Sequence, residues 1–142
     1  MRVVLDTNTV VSGLLWGGAP RRLIDAARAR RIELHVSTVL VAEFAEVIAR
    51  EEFAKRIRAA NLSAAALVAD YAHLAKVVSP ADIAPTVAGD PDDDQVLACA
   101  LAAQADLVVS GDSHLRNLKS FQRIPIVSAA QALALIEPQA GS

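Results

Sequence analysis

The chain has 142 residues, of which 54% are apolar and only 4% aromatic, with a net charge of -2. That length suits one domain with a substantial core, and an apolar fraction rich in alanine favours helices covering a sheet over a β-sandwich. The near-neutral charge excludes a protein that coats nucleic acid by bulk charge, while leaving room for an enzyme with a local basic rim.

The first stretch, Val3-Val4-Leu5-Asp6-Thr7-Asn8, reads as a short buried strand that delivers an acid at its carboxyl end. Ligands bind at that edge in open α/β sheets. Taken alone, Asp6 or Asn8 would do no more than cap the next helix. That helix is short, Thr9 to Trp16, and Gly17-Gly18 breaks it before Pro20, read as the first helical position ahead of Arg21 to Arg30. Glu33 to Val36 is a second strand, and Ser37 caps a helix from Thr38 to about Arg50 that continues as Glu52 to Ala60.

Ser63 caps a further helix to Lys76, and Lys76 to Ser79 is a third strand. Pro80 to Gly89 is a loop. Asp90-Pro91-Asp92-Asp93-Asp94 opens a helix ending near Gln104, and Asp106 to Asp112 repeats the opening pattern of buried strand then acid. A short helix around His114 to Leu118, a fifth strand Ile124 to Ser128 and a helix Ala129 to Ile136 complete the order. Strands alternating with helices imply right-handed crossovers. The expected fold is an α/β three-layer α/β/α sandwich with a five-stranded parallel sheet, one domain over residues 1–137 and a frayed tail over 138–142.

The single cysteine, Cys99, excludes an internal disulfide and lies in an apolar run, so it reads as a buried structural thiol. With no apolar window of membrane-spanning length and no leader-like N-terminus, the expectation is a soluble cytoplasmic protein that does not engage a membrane. His35, His73 and His114 are isolated in sequence and read as surface or supporting residues, which gives no basis for a zinc site.

Four acidic features stand apart from the solvated charges. Asp6 and Asp112 each end a buried strand, and meet at one sheet edge if those strands are neighbours. Glu43 falls within the helical stripe of Leu40, Phe44, Val47 and Ile48, a position that needs a partner such as Arg50 or a cation. Glu46 lies at the margin of that stripe and reads as solvated. In the Asp90 to Asp94 run, capping explains one or two acids and leaves an excess that a cation explains better. Both Asp93 and Asp94 lie near the inward face, and periodicity does not choose between them. Carboxylates converging from separate segments suit Mg²⁺ or Mn²⁺, which prefer oxygen ligands and support displacement at phosphorus.

Val4-Leu5-Asp6-Thr7-Asn8, Glu43, Asp90-Pro91-Asp92-Asp93-Asp94-Gln95-Val96-Leu97 and Val109-Ser110-Gly111-Asp112, in that order, resemble the PIN-domain ribonucleases. The likeness extends to the VapC-like toxins of bacterial toxin–antitoxin systems. The resemblance implies a Mg²⁺- or Mn²⁺-dependent endoribonuclease leaving 5′-phosphate and 3′-hydroxyl ends, a homodimer, and a small protein antitoxin. By motif it assigns metal-coordinating and catalytic roles to Asp6, Glu43 and Asp112. Spacing from the Ser110-Gly111-Asp112 motif points to Asp94 as the helix-start ligand, whereas the Asp-Pro-x-Asp form points to Asp93. Asn8 and Ser110 take supporting roles, orienting ligands or water. Arg21, Arg22, Arg116, Lys119 and Arg123 are candidates for holding RNA phosphates, and Trp16 for stacking on a base, packing in the core or contacting a second copy.

Two rivals use similar grammar. A haloacid-dehalogenase-like phosphatase needs a second aspartate where Asn8 stands, and a receiver-like domain needs a lysine after Ile126-Val127-Ser128. A non-catalytic RNA- or protein-binding module on the same fold is the third alternative.

Overall fold

The computed structural model describes residues 1–87 and 90–137, so the expected frayed tail and the last two residues of the Pro80–Gly89 loop lie outside the described residues. Among these residues six strands, β1 (Arg2–Leu5), β2 (Glu33–Ser37), β3 (Lys76–Val78), β4 (Leu107–Val109), β5 (Ser120–Phe121) and β6 (Ile124–Val127), form one sheet in the order β3-β2-β1-β4-β6-β5. All neighbours are parallel except β5 and β6. The five expected strands are therefore present and parallel. The sixth, β5, is a two-residue antiparallel edge, too short for any alternation in its side chains to show in sequence.

Among the described residues eight helices flank the sheet: α1 (Thr7–Leu15), α2 (Ala19–Arg28), α3 (Thr38–Ile48), α4 (Glu51–Ala59), α5 (Ala64–Leu74), α6 (Pro91–Ala103), α7 (Ser113–Asn117) and α8 (Ala129–Ile136). The architecture is the three-layer α/β sandwich. Val3, Val4 and Leu5 and then Leu107, Val108 and Val109 are all buried, because the two central strands are covered on both faces. Helix α6 packs against β1, β2 and β4, while α8 packs against β4 and α2. Among the described residues no helix is long and apolar enough to cross a membrane.

Local chemistry sets the boundaries. Asp6, Ser37, Ser63, Asp90, Asp112 and Ser128 each cap the following helix through a side-chain oxygen, and Ser128 with Gln131 completes a capping box. Two expectations shift. Pro20 sits one position inside α2 behind Ala19, with Gly18 as N-cap at φ 85°, a left-handed conformation suited to glycine. Helices α3 and α4 are separate, because Arg50 is extended (φ -64°, ψ 146°) and α4 starts afresh with Glu51 and Glu52 at its N-terminus and Arg56 and Arg58 at its C-terminus. That charge order complements the helix dipole. Helices α1 and α2 approach so closely at Gly13 that a Cβ there would lie 2.8 Å from Ile24 and 2.9 Å from the Pro20 carbonyl oxygen.

In chain order the sheet grows from β1 through β2 to β3, then returns to the other side of β1 to place β4. The strand order thus reverses between β1 and β4, where open α/β sheets leave a crevice for ligands. Asp6 follows β1 directly and Ser110 follows β4 directly.

Candidate metal centre

The register pairs Leu5 with Val109, and the Asp6 amide donates to the Val109 carbonyl, so the chain segments leaving both strands start side by side. Asp6 is 7% exposed. Its carboxylate does two jobs: Oδ1 accepts the Thr9 amide at 2.9 Å as the N-cap of α1, and Oδ2 accepts the buried Ser110 hydroxyl. The capping role is real, and it also fixes the carboxylate's orientation. Each carboxylate oxygen has a second acceptor direction beyond these bonds.

Glu43 is half-buried on α3 and accepts the Thr7 hydroxyl at 2.8 Å. No salt bridge joins it to Arg50 among the described residues. Burial raises its pKa, and repulsion from Asp92, Asp6 and Asp90 adds to that effect, while the Thr7 hydrogen bond opposes it. Glu46 is exposed, as read from its place at the stripe margin.

The structure separates Asp93 from Asp94. Asp93 is 9% exposed, and its Oδ2 is buried without a hydrogen-bond partner among the described residues. Burial is the main cause that lifts its pKa to about 7, followed by the adjoining Asp90 carboxyl and repulsion from Asp112 and Asp6. Asp94 instead accepts the backbone amides of Thr86 and Val87 at 2.7–3.2 Å, tying the loop before α6 to that helix. Asp112 caps α7 by accepting the His114 amide, and its own amide donates to Ser110 Oγ at 2.9 Å. Ser110 therefore couples the two strand-end acids.

Asp6, Glu43, Asp93 and Asp112 line one cleft of about 210 Å³, together with Asn8, Asp92 and Arg50. Asp94 does not line it. Within the acidic group, Asp90, Asp93, Asp112 and His114 each offer a ligand atom within 4.8 Å of the others. Asp90, read only as a cap, and His114, read as isolated, were thus missed as neighbours of the site. The available signal was His114's position two residues beyond Asp112, on a helix of only five residues. His35, by contrast, is buried in β2 with Nε2 3.1 Å from Glu33, because Leu34 to Ser37 are buried on both faces of the sheet; of the surface and supporting positions expected for it, the surface one is corrected. His73 is exposed.

Buried, unpartnered carboxylate oxygen beside further oxygen donors fits a hard divalent cation, since a charge without a counter-charge is costly there. Cys99 is fully buried and burial pushes its thiol up to about 12, consistent with a structural role.

The basic candidates divide. Arg21 donates to the carbonyls of Trp16 and Leu14 at the end of α1, and Arg22 pairs with Glu137 at 2.6 Å. Arg116, Lys119 and Arg123 are exposed on α7 and the turn around β5, with no side-chain hydrogen bond or salt bridge among the described residues. Trp16 is 40% exposed, packs edge-on against Phe53 and has the Arg56 guanidinium 4.6 Å above its ring, so its own chain occupies much of its surface.

Residues 2–114 of the sequence match the family described as the PIN domain. A comparison with curated proteins gave no match.

Proposed function

The chain belongs to the PIN domain family, a nuclease fold, and on that premise we propose that it is a Mg²⁺- or Mn²⁺-dependent endoribonuclease. The observation that carries this reading is the cleft at the β1–β4 switch point, where Asp6, Glu43, Asp93 and Asp112 come together from four separate segments. In this reading those four carboxylates would hold the cation, and Asp90 and His114, whose ligand atoms lie within 4.8 Å of those of Asp93 and Asp112, would stand beside them. When bound, a divalent cation supplies Lewis-acid charge stabilisation for hydrolysis at phosphorus.

The remaining chemistry falls to the chain. Ser110 and the Thr9 amide hold both oxygens of Asp6, and Thr7 holds Glu43. These contacts fix the carboxylates before substrate arrives, so little reorganisation accompanies the reaction. Asn8 presents an amide at the rim for water or substrate, and Arg50 brings positive charge to an otherwise acidic cleft, where it meets a phosphate. Arg116, Lys119 and Arg123 extend that electrostatic path for RNA; Arg21 and Arg22 are already engaged within the chain.

Within the same reading, residues 1–137 form one PIN domain that works in the cytoplasm as the toxin of a type II toxin–antitoxin pair. It forms a homodimer, and a small protein antitoxin blocks the cleft. Co-purification with the product of a small adjacent gene, and a dimer mass in solution, test those finer points.

The deciding experiment measures cleavage of total RNA by wild type and Asp6→Asn with Mg²⁺, with Mn²⁺ and with chelator. Cleavage that needs the metal and is lost in Asp6→Asn supports the reading. Equal activity in both proteins refutes the site, and RNA binding without cleavage favours a non-catalytic module.

A further inference from the structure

A second cavity, of about 310 Å³, adjoins the acidic cleft and shares Asn8 and Asp112 with it. Its other walls include Ser12, Pro20, Gly111 and Ala129. We propose that this cavity is a nucleoside pocket that seats one base and ribose of the RNA beside the cleaved phosphodiester, which rests on the nuclease reading of the neighbouring cleft.

The lining selects the ligand class. Among the described residues the one charged wall is Asp112, shared with the acidic cleft, so these residues offer a phosphate no positive partner and some repulsion. What it does offer is uncharged hydrogen bonding. Among the described residues the Asn8 amide and Ser12 hydroxyl have no side-chain partner, and together they supply donors and acceptors for a base edge or a ribose hydroxyl. Pro20 and Ala129 add small apolar surfaces suited to the face of a ring. Single-stranded RNA is read through splayed bases held in this manner. The volume lies at the lower end for small-ligand pockets and suits a single nucleoside.

Gly111 offers a place to test the cavity. No atom lies within 4 Å of where its Cβ would be, and its backbone does not require glycine's left-handed freedom. Gly111 lines the cavity and a side chain there meets no clash and does not strain the turn, so a bulky residue at this wall gives a direct test.

Binding of a fluorescently labelled single-stranded RNA dodecamer is measured by anisotropy with Ca²⁺, and cleavage is measured in parallel with Mg²⁺ and Mn²⁺. A series of dodecamers carries one abasic residue at each successive position. In the wild type, one abasic position fixed relative to the cut weakens binding by about tenfold or more, the scale of one lost base contact. Gly111→Leu weakens binding of the intact RNA by a similar factor and becomes insensitive to that abasic position, because the two losses concern one contact. Ser12→Leu, at another lining position on α1, reproduces the result if Gly111→Leu folds poorly.

Uniform tolerance of abasic residues by the wild type overturns the pocket. So does unchanged binding and an unchanged abasic profile in a folded pocket-filling variant. If the wild type cleaves RNA under either of those outcomes, the nuclease reading stands and only the pocket fails. If the wild type neither binds nor cleaves RNA, both fall.

Discussion

The Ser110 hydroxyl donates to the Asp6 carboxylate across the junction of β1 and β4, linking two residues 104 positions apart in the chain. The same oxygen accepts the Asp112 amide at 2.9 Å. One buried hydroxyl therefore sets the relative placement of both strand-end acids. Ser110→Ala removes the donor and leaves a buried carboxylate oxygen one hydrogen bond short, which costs about 1–3 kcal/mol. The expected result is a cleavage rate reduced by about tenfold or more with weaker metal binding, whereas Ser110→Thr keeps the hydroxyl and most of the activity. Metal titration by calorimetry alongside kinetics distinguishes this from simple loss of fold; unchanged metal affinity in Ser110→Ala would rule out the positioning role.

Asp93 and Asp94 are adjacent in sequence and differ in what they touch. Asp93 has a buried oxygen without a partner among the described residues and offers a ligand atom to the acidic cluster, while Asp94 holds the Thr86 and Val87 amides. Asp93→Asn is therefore expected to abolish cleavage in a protein that keeps or gains stability without metal. Asp94→Asn should retain a substantial share of activity while losing about 1–2 kcal/mol, because weaker acceptors now hold two loop amides. Denaturant titration together with metal-dependent cleavage measures both arms. The opposite pattern, a stable but inactive Asp94→Asn, would return the fourth carboxylate to position 94.

That distinction shows where sequence reading stopped. Val3 to Leu5 and Leu107 to Val109 are short apolar runs ending in acids, and their pairing at the sheet centre follows from the alternation of strands with helices. The meeting of Asp6 and Asp112 at one sheet edge was legible for that reason, whereas Glu43 was read from the apolar stripe of its own helix, α3. Asp93 and Asp94 were not separable, since both fall near the inward edge of α6 and the tie that occupies Asp94 comes from a loop with no periodic pattern. The break between α3 and α4 was hidden because Arg50 adopts an extended backbone without a glycine or proline to announce it. His114 joined the site only because the short α7 starts at Asp112 and turns it back toward Asp93.

Tyr71 provides a stability test away from the chemistry. Its ring packs edge-on against Phe44 with centroids 5.6 Å apart, yet its hydroxyl is buried with no hydrogen-bond partner among the described residues. Burial raises its pKa, so the group stays neutral. Tyr71→Phe keeps the ring contact and removes an unsatisfied polar atom, and is expected to raise stability by about 1 kcal/mol. A loss of stability in chemical denaturation would mean that the hydroxyl holds a buried water.

The acidic cluster also predicts how metal-free protein responds to pH. Asp93 ionises near 7 in the folded chain and near the ordinary 3.8 when unfolded, mainly because burial disfavours its charge. Between those values the folded state binds a proton that the unfolded state does not, so folding stability falls as pH rises. The contribution is fully present below about pH 4 and is gone above about pH 7, with Glu43 shifted in the same direction. Asp70, lowered by its hydrogen bond with Arg28, acts oppositely but only as pH falls below the ordinary carboxylate range. Metal-free protein should therefore lose about 5 °C or more in Tm between pH 5 and pH 8, and Asp93→Asn should flatten that slope. Added Mn²⁺ should raise Tm more at pH 8 than at pH 5, because the cation binds the ionised carboxylates and the folded state alone presents them together. Thermal unfolding across that range, with chelator and with Mn²⁺, measures both slopes. A Tm that rises with pH in chelator, or a Mn²⁺ effect equal at both pH values, would show that these carboxylates do not share the charge burden assigned to them.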